Sequence, residues 1–210
     1  MKYLTLPLLW LLIQNSLSLN TNTNFLSGSI DIIVVEHNGI LKSTPFYVRF
    51  GIFLTLNPVN TPVIVTVNDR VIPLEMRLTQ DGDGYFSESS EKFIPTEQDL
   101  KALELKPGKN KITFQIKSCL LNKEQSLSSF IYLFNSNTKL VVSDIDGTIT
   151  RSNVLGLILP LFGIDWSQSH INKLYRDIEN NGYQMVYLTA RAIGETQITR
   201  DYIYSLKQGI

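Results

Sequence analysis

Asp144-Ile145-Asp146-Gly147-Thr148 places two carboxylates two positions apart, directly after the apolar run Lys139 to Ser143. Such a pair can share a displacement: one carboxylate attacks as a nucleophile while the other moves a proton. A strand end presents its first residue most directly, so Asp144 is the expected nucleophile and Asp146 the expected general acid and base. Gly147 permits the turn that brings them together. Like charges this close repel unless a cation sits between them, which calls for Mg²⁺ with Asp144 and Asp146 as ligands. Attack on phosphorus would give an aspartyl-phosphate. Thr189, Arg191 and the backbone N–H groups of the Gly147-Thr148 loop would then hold the equatorial oxygens. An EF-hand fails on spacing. With Asp144 at its first position, Ile149 stands where Gly is required and Leu155 where Glu is required. An ordinary acidic turn is the competing structural reading.

These residues need a scaffold that makes them converge. Ile171, Leu174, Tyr175 and Ile178 recur at helical spacing, so a helix is expected from about Gln168 to Asn181, stopped by Gly182. Met185 to Thr189 reads as a second buried strand, and Glu195 to Lys207 as a second helix. Strand, helix, strand, helix implies parallel strands with a site at their carboxyl ends, where both polar clusters fall. Lys139 to Ser143 has no strong alternation and reads as a buried parallel strand.

Residues 25–136 have a different texture. Ile30 to Val35, Ile40 to Phe50, Val63 to Val67, Val71 to Leu74, Lys111 to Ile116 and Phe130 to Phe134 are short β-rich runs. Asn38-Gly39, Asn68-Asp69 and Asp81-Gly82-Asp83-Gly84 punctuate them as turns. A β-sandwich of about seven strands is expected. The Asp81 to Gly84 run lacks the alternating ligands and terminal Glu of a calcium loop, so it reads as a tight turn. Lys42, Arg49, Arg70 and Arg77 read as scattered cations on a solvated face.

Composition narrows the function classes. The chain has 210 residues, 43% apolar, with nineteen basic residues against nineteen acidic ones. It can pack a core, and no global field draws it to nucleic acid. One cysteine, Cys119, and two histidines, His37 and His170, make a nitrogen- and sulfur-liganded metal site unsuitable and leave a hard, oxygen-liganded cation. In residues 1–24, Lys2 precedes an apolar run from Tyr3 to Ile13, shorter than the about 20 residues a bilayer requires. The segment is a signal peptide or a membrane-surface anchor, with no Asn-x-Ser/Thr sequon elsewhere in the chain to favour secretion.

Val142 to Ser152 closely resembles the catalytic segment of lipin-type phosphatidate phosphatases, haloacid dehalogenase-like enzymes with a first motif Asp-x-Asp-x-Thr/Val. Leu155 to Pro160, Asp165-Trp166, Lys173-Leu174-Tyr175, Asn181-Gly182-Tyr183 and Ala190 to Gly194 look like the same family, as do Leu26 to Val35 and Pro45 to Gly51. The resemblance implies an α+β chain in two parts. Residues 25–136 would form one immunoglobulin-like β-sandwich from the lipin N-terminal region and the first part of the C-terminal region. Residues 137–210 would form part of a haloacid dehalogenase-like (Rossmannoid) α/β domain.

It further implies Mg²⁺-dependent conversion of phosphatidic acid to diacylglycerol at a membrane surface. The site would comprise Asp144, Asp146, Gly147, Thr148, Thr189 and Arg191. The implied location is the cytoplasm, peripheral on the endoplasmic reticulum membrane, with the nucleus as a further compartment. The secretory pathway is the alternative if residues 1–18 are a signal peptide. No direct nucleic-acid partner is expected, and the oligomeric state is left open.

Only about Ser87 to Pro95 separates the two family regions, where many members carry a long basic insertion. Leu155-x-x-Ile158-Leu159 fits the Leu-x-x-Ile-Leu coactivator pattern of animal members, with helix packing as the plainer use. The family's third-motif Lys and fourth-motif Asp have no match in the 21 residues after Thr189. The expectation is therefore a fragment or a degenerate member. A non-catalytic module that binds phosphatidic acid on membranes is the alternative function, and a soluble phosphatase of a small metabolite is a third.

Overall fold

The computed structural model describes residues 27–51, 58–89, 91–118, 123–146, 148–149 and 171–208. The expected N-terminal segment 1–24 and the Leu155 to Leu159 pattern lie outside the described residues. Two compact units are present, divided between Ser136 and Asn137. One comprises the described residues of Ser16–Ser136 with Ala192–Gly194, the other those of Asn137–Arg191 and Glu195–Ile210.

The first unit is built on β-pairing. Its strands are β1 (Gly28–Ser29), β2 (Ile32–His37), β3 (Ile40–Ser43), β4 (Val48–Arg49), β5 (Ile64–Val67), β6 (Arg70–Ile72), β7 (Met76–Leu78), β8 (Gly84–Phe86), β9 (Gly108–Ser118) and β10 (Lys123–Asn135), with one helix, α1 (Glu97–Ala102). Six of them form a sheet in the order β3-β2-β10-β9-β5-β6, while β1-β4 and β7-β8 pair separately. Asn38 and Gly39 have φ of 51° and 80°, and Asn68 and Asp69 have 48° and 66°. Two successive positive φ values are those of a tight hairpin turn, and they close β2-β3 and β5-β6. β10 runs parallel to β2 from Ile131↔Ile32 to Asn135↔Glu36, so the first long strand is fixed beside the last.

Burial follows the period-two pattern. Ile112, Phe114 and Ile116 of β9 are buried and face Val65 and Val67 of β5 in one apolar cluster with Ile32, Phe46, Leu78 and Ile131. Helix α1 adds Leu100 to it. Its start is set by a capping box: the Thr96 hydroxyl accepts from the Asp99 N–H, and the Asp99 carboxylate accepts from the Thr96 N–H. Ten strands, rather than about seven, occur among the described residues of this unit. Five of them have two or three residues, too short to register as a hydrophobic run.

Arg49 corrects the expectation of a solvated cationic face. Its Nε donates to Asp83 Oδ1 at 2.6 Å and its Nη2 to Oδ2 at 3.0 Å. The Tyr47 hydroxyl also donates to Asp83, at 3.0 Å. Asp83 is only 8% exposed. The Asp81 to Gly84 run is thus a turn whose second carboxylate neutralises an arginine across the unit. Gly82, at φ 82°, has no room for a Cβ: one placed there would sit 2.3 Å from the Phe50 carbonyl oxygen.

The second unit holds β11 (Leu140–Asp144), α2 (Ile171–Asn180), β12 (Gln184–Leu188) and α3 (Thr196–Gln208). β11 and β12 are parallel, in register from Leu140↔Gln184 to Asp144↔Leu188. Gly182 ends α2 at φ 83°. Its N–H reaches the Glu179 carbonyl and that of Tyr183 reaches Ile178, the two bonds of a left-handed C-terminal cap. Met185, Val186 and Tyr187 are buried, as a strand between layers should be. β11 differs from the expected buried strand, since Leu140 is 39% and Val142 58% exposed. Among the described strands it pairs with β12 alone. Leu174, assigned by spacing to the apolar face of α2, is half-exposed.

Two outcomes follow for the Asp83 cluster. Arg49→Met strands a buried carboxylate and is expected to lower stability by about 1.5–3 kcal/mol in urea unfolding, the range for hydrogen bonds to charged groups. Burial, then the charge of Asp83, pushes the Tyr47 hydroxyl up from 10.0 to about 12. The folded state therefore keeps a proton that the unfolded state loses. This contribution is complete below pH 10 and disappears as pH rises through about 12. Tyr47→Phe should make the alkaline loss of stability shallower than in the unsubstituted chain.

Candidate active site

The parallel register puts the carboxyl ends of β11 and β12 side by side. The Ile145 N–H bonds the Leu188 carbonyl at 3.0 Å, and the Ile149 N–H closes the following turn on the Ile145 carbonyl at 2.9 Å. Ile145 and Ile149 are buried at 0% and 1% exposure, anchoring that turn at both ends. Strand alternation sends Ile145 inward and leaves Asp144 exposed and Asp146 partly exposed.

Residues that leave the two strand ends meet at the Asp146 carboxylate. The Thr189 hydroxyl donates to its Oδ2 at 3.0 Å. Arg191 Nε donates to both oxygens at 3.0 Å, and Nη2 donates to Oδ1 at 2.5 Å. The Arg191 backbone N–H donates to Thr189 Oγ1 at 3.2 Å, and Nη1 donates to Thr199 Oγ1 at 3.2 Å. Exposure of the Arg191 and Asp146 side chains is 4% and 16%. Ion pairs and hydrogen bonds so shielded are stronger than surface ones.

The sequence-derived residues are therefore placed unequally. Asp146, Thr189 and Arg191 form one hydrogen-bonded cluster. Asp144 stands two residues earlier with its side chain exposed at the end of β11. Thr148 lies exposed in the turn that follows, and Gly147 lies outside the described residues. Charge repulsion between the two aspartates argued for a metal ion; for Asp146 the positive charge at hand is the Arg191 guanidinium.

Donor chemistry can still accommodate Mg²⁺. Among the described residues no group of three or more His, Cys, Asp or Glu side chains gathers. Mg²⁺ needs only one or two carboxylates, completing its octahedron with water and substrate oxygens. Asp144 fits, as an exposed hard-oxygen donor. The Asp146 carboxylate fits only when Arg191 has moved off it.

Spacing alone missed two side chains. The Tyr175 hydroxyl hydrogen-bonds Ser143, joining α2 to β11 one residue before Asp144. Burial raises the Tyr175 hydroxyl; the bond to Ser143 opposes this, and the charge of Asp144 raises it further. It stays a neutral hydroxyl beside the acidic strand end. Thr199, on α3, is fully buried. A threonine in the buried stripe with Thr196, Tyr202 and Ile203 is the signal that could have found it.

A family model described as LNS2 (Lipin/Ned1/Smp2) matches residues 91–210, and one described as the lipin N-terminal conserved region matches residues 10–104. Phosphatidate phosphatase PAH1 of Arabidopsis thaliana is 44% identical over 115 residues, 55% of this chain and 13% of that protein. Phosphatidate phosphatase LPIN1 of Homo sapiens is 44% identical over 109 residues, 52% of this chain and 12% of that protein. Phosphatidic acid phosphohydrolase 1 of Saccharomyces cerevisiae is 33% identical over 136 residues, 63% and 15% respectively. The chain thus matches well under a quarter of the length of these relatives.

The ion pair makes an asymmetric prediction. Asp146→Ala leaves the more deeply buried partner, Arg191, as an uncompensated charge and should cost about 3–5 kcal/mol. Arg191→Met leaves the better-hydrated Asp146 and should cost less. Urea unfolding of the two variants, followed by circular dichroism, reads the order.

Proposed function

The chain belongs to the lipin family, and from that premise we propose that it is a phosphatidate phosphatase, releasing diacylglycerol and inorganic phosphate from phosphatidic acid. The observation that carries this reading is the cluster of Asp146, Thr189 and Arg191 at the carboxyl ends of β11 and β12, with Asp144 exposed just ahead of it. The same features support a haloacid dehalogenase-like domain over 137–210. The β-pairing of the first unit supports an immunoglobulin-like sandwich over 25–136.

Asp144 attacks phosphorus through a carboxylate oxygen. The phosphorus–oxygen bond to glycerol breaks, and the leaving oxygen takes the proton of Asp146. Water then attacks the aspartyl-phosphate, giving its proton to Asp146, and inorganic phosphate departs with Asp144 restored. Mg²⁺, held by Asp144, would supply positive charge against the phosphoryl oxygens, leaving Asp146 to its proton.

Arg191 and Thr189 serve two acceptors in turn. Without substrate their donors are spent on Asp146. A phosphoryl group carries more charge and more acceptor oxygens than a carboxylate, so it competes for the same N–H and O–H groups. Their transfer frees Asp146 for proton chemistry at the moment the substrate needs it. Because the substrate is a lipid, the reading has the chain act at a membrane surface. Among the described residues no helix is long and apolar enough to cross a membrane.

Phosphate release from phosphatidate in detergent micelles with Mg²⁺ tests the proposal on the full chain. Turnover is expected, with Asp146→Asn slower by about 10²–10⁴-fold, the worth of general acid–base catalysis. Asp144→Asn should be inactive. Binding of phosphatidate vesicles without any phosphate release would instead support a non-catalytic lipid-binding module. Turnover that survives Asp144→Asn would remove the nucleophile.

A further inference from the structure

We propose that Thr199 is a positioning residue, whose buried hydroxyl fixes the plane of the Arg191 guanidinium and through it the Asp146 carboxylate. Its catalytic consequence rests on the phosphatase reading above; its structural consequence does not.

Arg191 is held on two sides. Nε and Nη2 face Asp146, while Nη1 donates to Thr199 Oγ1 at 3.2 Å. A guanidinium is rigid and planar, so one gripped along a single edge can hinge about that edge. A second grip at the far nitrogen removes this freedom. Asp146 then meets a donor array already aimed at it, and so does any phosphoryl group that replaces Asp146.

Thr199 bears the marks of a residue present for its hydroxyl. It sits inside α3, where a β-branched side chain is an indifferent helix former. Its exposure is 0%, so its oxygen has no water to satisfy it. Valine would fill the same volume without a polar group to bury. The hydroxyl also ties α3 to the loop after β12, eight residues earlier in the chain. Arg191 is thereby fixed both to the helix that follows it and to the acidic turn after β11.

Thr199→Val and Thr199→Ser of the full chain separate shape from chemistry. Valine preserves volume and burial, whereas serine preserves the hydroxyl. The first measurement is nuclear magnetic resonance of the ¹⁵N-labelled chain, following water exchange of the Arg191 Nη1 protons, with the signal identified by its loss in Arg191→Lys. Exchange should be about tenfold faster in Thr199→Val, the worth of one ordinary hydrogen bond, and unchanged in Thr199→Ser.

The second measurement is phosphatidate turnover with Mg²⁺. Here kcat should fall about tenfold in the valine variant and recover with serine. Should Thr199→Val fail to fold, Thr199→Ala gives the same comparison through the exchange signal. Unchanged Nη1 exchange in the variant lacking the hydroxyl overturns the proposal, as does faster exchange in Thr199→Ser. No turnover in any form, with the exchange pattern as expected, refutes the phosphatase reading and leaves the Thr199–Arg191 contact standing.

Discussion

A partly buried carboxylate needs a compensating charge, and at Asp146 a shielded arginine supplies it. Arg191 covers both oxygens and Thr189 covers one of them again. The contact ties the residue after one strand to the residues after its parallel neighbour, so it serves as a structural clasp before any substrate arrives. It joins three elements at one point: the end of β11 with the turn anchored by Ile145 and Ile149, the loop after β12, and the helix bearing Thr199. Its strength comes from low exposure. The same pair on an open surface would contribute little.

The lipin assignment gives the first unit a particular meaning. The six-stranded sheet draws its strands from both matched family regions. β2, β3, β5 and β6 lie within residues 10–104, while β9 and β10 lie within 91–210. The pair from the second region is central, flanked on each side by strands of the first. Neither region can complete that sheet alone, since each would leave unpaired N–H and C=O groups along two strand edges. The two regions, distinct as sequence motifs, are one folding unit in this chain.

Local chemistry was readable wherever one or two residues decide the backbone. Asn38-Gly39 and Asn68-Asp69 are turns because their residue types tolerate positive φ, and Gly182 stops α2 for the same reason. Convergence of Asp146 with Thr189 and Arg191 was also readable, because parallel strands joined through a helix must place their carboxyl ends together. Pairings that depend on distant packing were not. Arg49 looked like one surface cation among several, since nothing in its neighbourhood reveals Asp83, 34 residues away. Tyr175 and Thr199 looked like ordinary helix residues, because a hydroxyl's partner is set by which neighbouring strand or loop lies beneath it. β11 read as buried from its apolar letters, while its exposure depends on what pairs with its other edge. At Asp146 the positive charge at hand is the Arg191 guanidinium, a partner that the two carboxylates alone do not reveal.

The central claim is that Asp146 and a phosphoryl group compete for the same donors. The structure of the full chain bound to a phosphoryl-group mimic such as vanadate, with Mg²⁺, tests it most directly. The account requires Arg191 and Thr189 to have left Asp146 and to donate to the mimic's oxygens, next to Asp144. A bound mimic beside Asp144 with all the Arg191–Asp146 and Thr189–Asp146 bonds intact would contradict it.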